Sequence, residues 1–152
     1  MPTYAKETTV SVESSKGEIE RTLKRYGANS FMYGWDQNQA IIGFDIDGKR
    51  YKMTLPMPDQ SDFQFTKTGR PRSGKLAIST ALEQAQRQRW RAMALWIKAV
   101  LEAAESGIVM LEEALQPFIM LPNGQTAGQW LAPQIELAYQ SGHMPPLLLS
   151  GE

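Results

Sequence analysis

Phe31–Leu55, FMYGWDQNQAIIGFDIDGKRYKMTL, decides the fold. Asp47-Gly48 inside it is a two-residue hairpin signal, because both residues tolerate the left-handed backbone that a tight turn between twisted strands requires. Closing the chain there sets Ile46 opposite Lys49, Phe44 opposite Tyr51 and Ile42 opposite Met53. On the other face Asp45 meets Arg50, a cross-strand ion pair worth on the order of a few tenths of a kcal/mol. A second turn at Asp36–Gln39 then sets Trp35 opposite Ala40, Tyr33 opposite Ile42 and Phe31 opposite Phe44. Every large side chain falls on one face. Slipping any strand by one residue would turn them all to solvent, so the register is specified.

Upstream, Thr8–Val12 alternates as a strand, with Thr8, Val10 and Val12 on one side. Ser15 and Glu18 match a capping box, which predicts a helix over Lys16–Tyr26 ended by Gly27 at a left-handed position. Its buried stripe is Ile19, Leu23 and Tyr26, and it is expected to cover the aromatic face of the meander.

Downstream, Asp59–Lys75 is a polar, Gly- and Pro-bearing loop. A long helix follows, starting as early as Lys75 and at the latest by Thr80. Placed at 100° per residue, Met93, Trp96, Ile97, Val100, Leu101 and Ala104 form an apolar stripe that Leu82 and Trp90 extend backwards. Glu83, Gln86 and Arg89 fall in the same stripe. Burying such groups unpaired costs several kcal/mol, so they need partners or a solvated pocket. The plain alternative is a buried Arg89 bonded to a carboxylate such as Glu136. At Ser106-Gly107 the chain either kinks or continues as helix through Ile108–Gln116, and Pro117 stops it. Phe118–Leu121 reads as a short strand, Pro122-Asn123-Gly124 as a turn, and Thr126 as the cap of a last helix to about Ser141. The tail His143–Glu152, with Pro145-Pro146 and three leucines, is expected to pack in extended form against the body or another subunit. The fold class expected is α+β: strand–helix–three-stranded antiparallel meander, then a long helix and a C-terminal strand–helix segment. Residues 1–152 make one domain, with halves at 1–57 and 76–152 joined by a basic loop at 58–75.

Composition narrows the chemistry. The 16 basic and 16 acidic side chains cancel, so an electrostatic case for nucleic-acid binding must rest on local patches. Cysteine is absent, which excludes disulfides, thiolate nucleophiles and Cys-ligated zinc. The polar opening residues lack the apolar core of a signal peptide, and no stretch nears the ~18 apolar residues of a membrane span. A cytoplasmic protein without membrane attachment is expected. The single histidine, His143, sits in a Gly- and Pro-flanked turn and cannot found a Ser–His–Asp triad. Asp45-x-Asp47-Gly48 reads as a turn, because alternation sends the two carboxylates apart and no EF-hand spacing follows. No catalytic residue, metal or cofactor is indicated.

Two basic segments remain. Lys67–Lys75, KTGRPRSGK, carries Lys67, Arg70, Arg72 and Lys75, which can hold phosphates through guanidinium forks and exposed N–H groups. It lacks the spacing of a nucleotide P-loop, and the alternative is a solvated loop. The RQRWR segment supplies Arg87, Arg89, Trp90 and Arg91, although Glu83–Arg87 is also a favourable i,i+4 pair. The polar sheet face, with Arg50, Lys52 and Thr54, either faces a phosphate backbone or is covered by another part of the chain. Glu83 and Gln86 are candidate pocket residues.

The segments EIERTLKRYGA from Glu18, EQAQRQRWRAMALWIKAVLEAAESGI from Glu83 and MLPNGQTAGQWLAPQIELAYQSGHMPPLL from Met120 resemble a family of small proteins encoded by tailed phages and prophages. The resemblance runs through nearly the whole chain. It implies expression in the cytoplasm of an infected host bacterium, as an early or accessory product, and carries no activity or catalytic residue with it. The expectation is a non-enzymatic phage accessory protein that binds nucleic acid or a nucleotide, in replication, recombination or counter-defence. The alternatives are a protein–protein inhibitor of a host defence enzyme, using the apolar tail Met144–Leu149, and a nuclease using Glu83 or Asp45. A homo-oligomer can form if the long helix buries its stripe against a copy of itself.

Overall fold

The structure is a computed structural model and describes residues 4–36 and 38–144. Its centre is the meander. Asp47 (φ 50°) and Gly48 (φ 75°) make the left-handed turn that folds β2, Gln39–Ile46, back on β3, Lys49–Pro56. β1, Ser30–Asp36, pairs antiparallel with β2, giving the order β1-β2-β3. The pairs Phe31–Phe44, Tyr33–Ile42, Trp35–Ala40, Phe44–Tyr51, Ile42–Met53 and Asp45–Arg50 are those the turn chemistry predicts. Ile42, Phe44, Ile46, Tyr51, Met53 and Leu55 are buried on one face, where Phe44 and Tyr51 stack 5.2 Å apart.

Two helices cover that face. α1, Val12–Arg25, contributes Ile19 and Leu23, and α2, Lys75–Glu105, contributes Trp90, Ala94, Ile97 and Leu101. Both end in the same motif. Gly27 (φ 94°) and Gly107 (φ 71°) are left-handed, and Ala28 and Ile108 donate back to Leu23 and Ala103. These 6→1 bonds satisfy carbonyls that a helix end would otherwise strand. α2 therefore stops before Gly107 rather than running on. A short α3, Leu111–Leu115, and a 3₁₀ turn, Gln116–Phe118, follow.

Three expectations are corrected. Thr8–Val12 forms no strand: the Thr8 hydroxyl accepts from Val10 N–H at 3.2 Å, a local bond that competes with sheet pairing, and Val12 already opens α1. The helix cap is accordingly Ser11, whose Oγ accepts from Ser14 N–H at 3.1 Å, and not the Ser15–Glu18 box. Ser15 is buried within α1, and Glu18 is engaged by Arg91. Phe118–Leu121 is no strand either. Ile119 makes one bridge to Tyr51 and Met120 N–H donates to Arg50 O at 2.8 Å, after which Met120 turns to face Thr126. Pairing is thus confined to one point on the open edge of β3.

α4, Ala127–Ser141, has the predicted Thr126 cap, with Gln129 returning the bond to Thr126 N–H. Gly128 lets its first turn sit on Pro117, where a Cβ would lie 3.0 Å from the Pro117 carbonyl oxygen. Beyond that turn the helix is half-buried on one face, at Leu131, Gln134 and Ala138; none of its residues is fully buried, and Trp130, Ile135, Leu137 and Tyr139 are exposed. Pro133 is accommodated inside it. The tail expectation falls on Pro145–Glu152, outside the described residues.

Candidate functional site

α1 and α2 approach each other over the end of the sheet where β1 turns into β2. Lys16, on the first turns of α1, shares the stripe of Ile19 and Leu23, so its stem runs towards the core. Its ammonium is held 4.5 Å from the Tyr33 ring and 4.9 Å from the Trp90 ring. Those rings meet edge to face at 6.5 Å. A cation placed on two aromatic faces stabilises their arrangement and keeps its charge at the mouth of the cleft beside them. That cleft, about 240 Å³, is lined by Lys16, Trp35, Asp36, Gln39, Gln86 and Trp90. Trp35 is 82% exposed, since β1 is an edge strand and the helices cover the middle of the sheet. The cleft thus combines an exposed indole, a fixed ammonium, the Asp36 carboxylate and two amides that both donate and accept.

Arg89 lies beside this cleft. Its Nη1 donates to Pro56 O at 2.6 Å, adjoining Met57 and Pro58 of the cleft wall. The Glu136 pairing is corrected: Glu136 is exposed on α4, where it accepts from Gln140. A carbonyl partner orients the guanidinium without cancelling its charge.

A second cavity, about 460 Å³, opens on the other side of the α1 start, with Lys6, Thr8, Ser11, Gln84 and Arg87 among its walls. Gln84 ties the N-terminal segment down by donating to Lys6 O and Thr8 O, both at 3.0 Å, and its own Oε1 accepts from Arg87. The neighbouring Lys6 ammonium, by disfavouring a second positive charge, pulls the Lys67 ammonium below its ordinary value.

The remaining predicted cations are placed differently. Arg72 donates to Phe63 O and Phe65 O, both at 3.0 Å, and caps the Phe63 ring, so it folds the loop internally. A bridge between Phe65 and Pro71 and a 3₁₀ turn at Gln60–Phe63 give that loop structure of its own. Arg91 is paired with Glu18 in a half-buried contact between α2 and α1. Arg70 and Lys75 are exposed, as is Glu83. Trp90 is 4% exposed and serves as the floor of the first cleft rather than as a surface contact. The structure therefore brings Gln86 and Trp90 together with Arg89 alongside, and sets Arg87 in one cavity with Lys6. Sequence reasoning missed Lys16, Tyr33, Trp35 and Lys6 as site residues. Lys16 was findable from its place on the α1 stripe.

The outer face of the sheet is weakly basic. Arg50 donates to Asp45 at 3.0 and 3.3 Å, and this bond, with one from Ser30, holds the Asp45 carboxyl below the usual aspartate range. Lys49 is likewise paired with Glu112. At the far end of α2 a larger groove, about 660 Å³, is lined by Asp47, Glu105, Glu112 and Glu113 among apolar residues, and repels anions. Among the described residues no acidic or histidine cluster has the arrangement to hold a metal, and no helix is long and apolar enough to cross a membrane. Compared with family models, curated proteins and solved structures, the chain finds no significant match.

Proposed function

We propose that this protein is a phage-encoded, non-enzymatic accessory protein that acts in the host cytoplasm by binding nucleotides or nucleic acid, with the Lys16–Trp35–Gln86 cleft as the base-binding site. One observation carries the reading: an ammonium fixed over Tyr33 and Trp90 stands beside the exposed face of Trp35. A base stacks on Trp35, its edge meets Gln39 or Gln86, and the attached phosphate meets Lys16. Stacking on one aromatic side chain is worth ~1–3 kcal/mol and tolerates any base. Removing the indole should therefore weaken binding by about 5- to 150-fold. The test is calorimetric titration of wild type, Trp35→Ala and Lys16→Ala with mononucleotides and short oligonucleotides at low salt. Weakening by both variants, without loss of melting temperature in Trp35→Ala, is expected. Wild-type binding that neither variant alters would reject the cleft.

A second reading, a host protein seated on α4, is favoured by the exposure of Trp130, Ile135, Leu137 and Tyr139 on a helix whose one charged residue is Glu136. It predicts a partner that Tyr139→Asp releases and Trp35→Ala retains. A partner released by Trp35→Ala and kept by Tyr139→Asp counts against it.

A further inference from the structure

We infer that β1 is a dimerisation strand: two copies of the chain pair antiparallel along their free β1 edges, about a two-fold axis at Tyr33, and join their three-stranded sheets into one. The inference stands apart from the base-binding reading and rests on the contrast between the two edges of the sheet. An open edge is a template for a further strand, and proteins block it with lysines, prolines, bulges or covering chain. The β3 edge carries Lys49, Arg50, Lys52 and Pro56, and Ile119 and Met120 bond across it at one point. β1, SFMYGWD, has none of these devices. Its seven residues run in unbroken register with β2, without lysine, arginine or proline. Met32, Tyr33 and Trp35 are 70%, 50% and 82% exposed.

The free backbone groups of this edge are fixed by the two turns of the meander. The Asp47-Gly48 turn makes Ile46 and Lys49 a hydrogen-bonded pair, and Met57 N–H donates to Asn38 O at 2.8 Å. Even-numbered β2 residues therefore bond β3, and odd-numbered ones bond β1, where their partners are Ser30, Met32, Gly34 and Asp36. Phe31, Tyr33 and Trp35 are left with N–H and C=O pointing outwards, and no hydrogen bond among the described residues reaches those groups. Self-pairing uses all of them. With Tyr33 opposite the partner's Tyr33, and Phe31 opposite the partner's Trp35, every outward N–H meets an outward C=O. The same register aligns all seven residues and sets Met32 against the partner's Gly34. Asp36 meets the partner's Ser30, so no like charges face each other. Phe31, Tyr33 and Trp35 share the helix-bearing face with Phe44, Ile42 and Ala40, and there they form cross-strand aromatic pairs, which stabilise sheets. A foreign strand would have to supply this match, whereas a second copy has it already. The apolar stripe of α2 lies in the core of its own chain, which leaves the edge rather than the helix to a second copy. The cleft survives, because Gln39, Ala40, Met57 and Pro58 line it from the β2 side of Trp35, and the partner's Phe31 takes the outward side.

The test is sedimentation equilibrium of the full chain over a range of concentrations, with cross-linking to read the register. Wild type should approach twice 17.1 kDa as concentration rises. Tyr33→Pro, which removes the central outward N–H and leaves the bonds to β2, should stay monomeric at the same concentrations. The chain has no cysteine, so Met32→Cys and Gly34→Cys each introduce a sole thiol. Met32 is exposed and a Cβ at Gly34 meets nothing within 4 Å, so both variants keep the fold. Oxidising a mixture of the two should give a disulfide-linked dimer, since the Cα atoms of these opposed residues lie ~4.5 Å apart. Each variant alone should give at least about tenfold less, because like positions lie about 8 Å apart. A wild type that stays monomeric at every concentration overturns the inference. So does a mixture that cross-links no better than the single variants. If Tyr33→Pro does not fold, the mixture decides alone. A dimer kept in folded Tyr33→Pro and lost in Tyr139→Asp puts the interface on α4 and also overturns it.

Discussion

The two halves of α2 belong to one continuous helix and do opposite things. From Trp90 onward the helix places Trp90, Ala94, Ile97 and Leu101 in the core at three- and four-residue steps. From Lys75 to Arg89 it buries none of its residues fully, and it spends Gln84, Gln86, Arg87 and Arg89 on cavities and on backbone carbonyls. Charge follows the same division: cations gather round the first half, and Glu105, Glu112 and Glu113 line the groove at the other end. A continuous helix is a rigid rod, so the buried half fixes the aim of the displayed half. Binding groups set on a scaffold of this kind need little ordering when the ligand arrives.

Truncation along the rod sharpens this comparison, read by chemical denaturation. Ile97→Ala should cost about 2–5 kcal/mol, because Ile97 is buried in the core and truncating it leaves a cavity that its neighbours fill only in part. Gly107→Ala should cost about 1 kcal/mol, the strain of a side chain at a left-handed helix end. Leu76→Ala, 80% exposed on the first turn, should stay within about 0.5 kcal/mol. A Leu76→Ala cost matching that of Ile97→Ala would erase the distinction between the halves.

The meander was legible because two independent signals agreed on it, the Asp47-Gly48 turn and the period-two placement of Phe31, Tyr33, Ile42, Phe44, Tyr51 and Met53. The long helix was legible from its apolar stripe, whereas the sequence left its end open between a stop at Ser106-Gly107 and a run on to Gln116; the left-handed Gly107 decides for the stop. Thr8–Val12 misled because its five residues, two Thr, two Val and Ser11, also suit a hydroxyl-bonded turn leading into a cap. The Ser15–Glu18 box misled as well: the helix opens four residues earlier, at Val12, behind the Ser11 cap. At the site, Gln86 and Trp90 were visible as polar and aromatic members of one stripe. The exposure of Trp35 was not: its register is local, whereas its cover depends on where α1 and α2 come to rest. Lys6 was beyond reach too, since it is placed by Gln84, 78 residues away. Arg72 and Arg91 show the converse, cations whose charge suggested a ligand and whose geometry serves the fold.

The central claim is that Lys16, Tyr33, Trp35 and Trp90 form a base-binding cleft, and the most direct measurement is a two-dimensional NMR titration following the indole N–H resonances. Adding a short oligothymidylate should move the Trp35 and Trp90 signals together, saturably, while Trp96 and Trp130 hold still. Movement confined to Trp130, or no movement of Trp35 at saturating ligand, would contradict it.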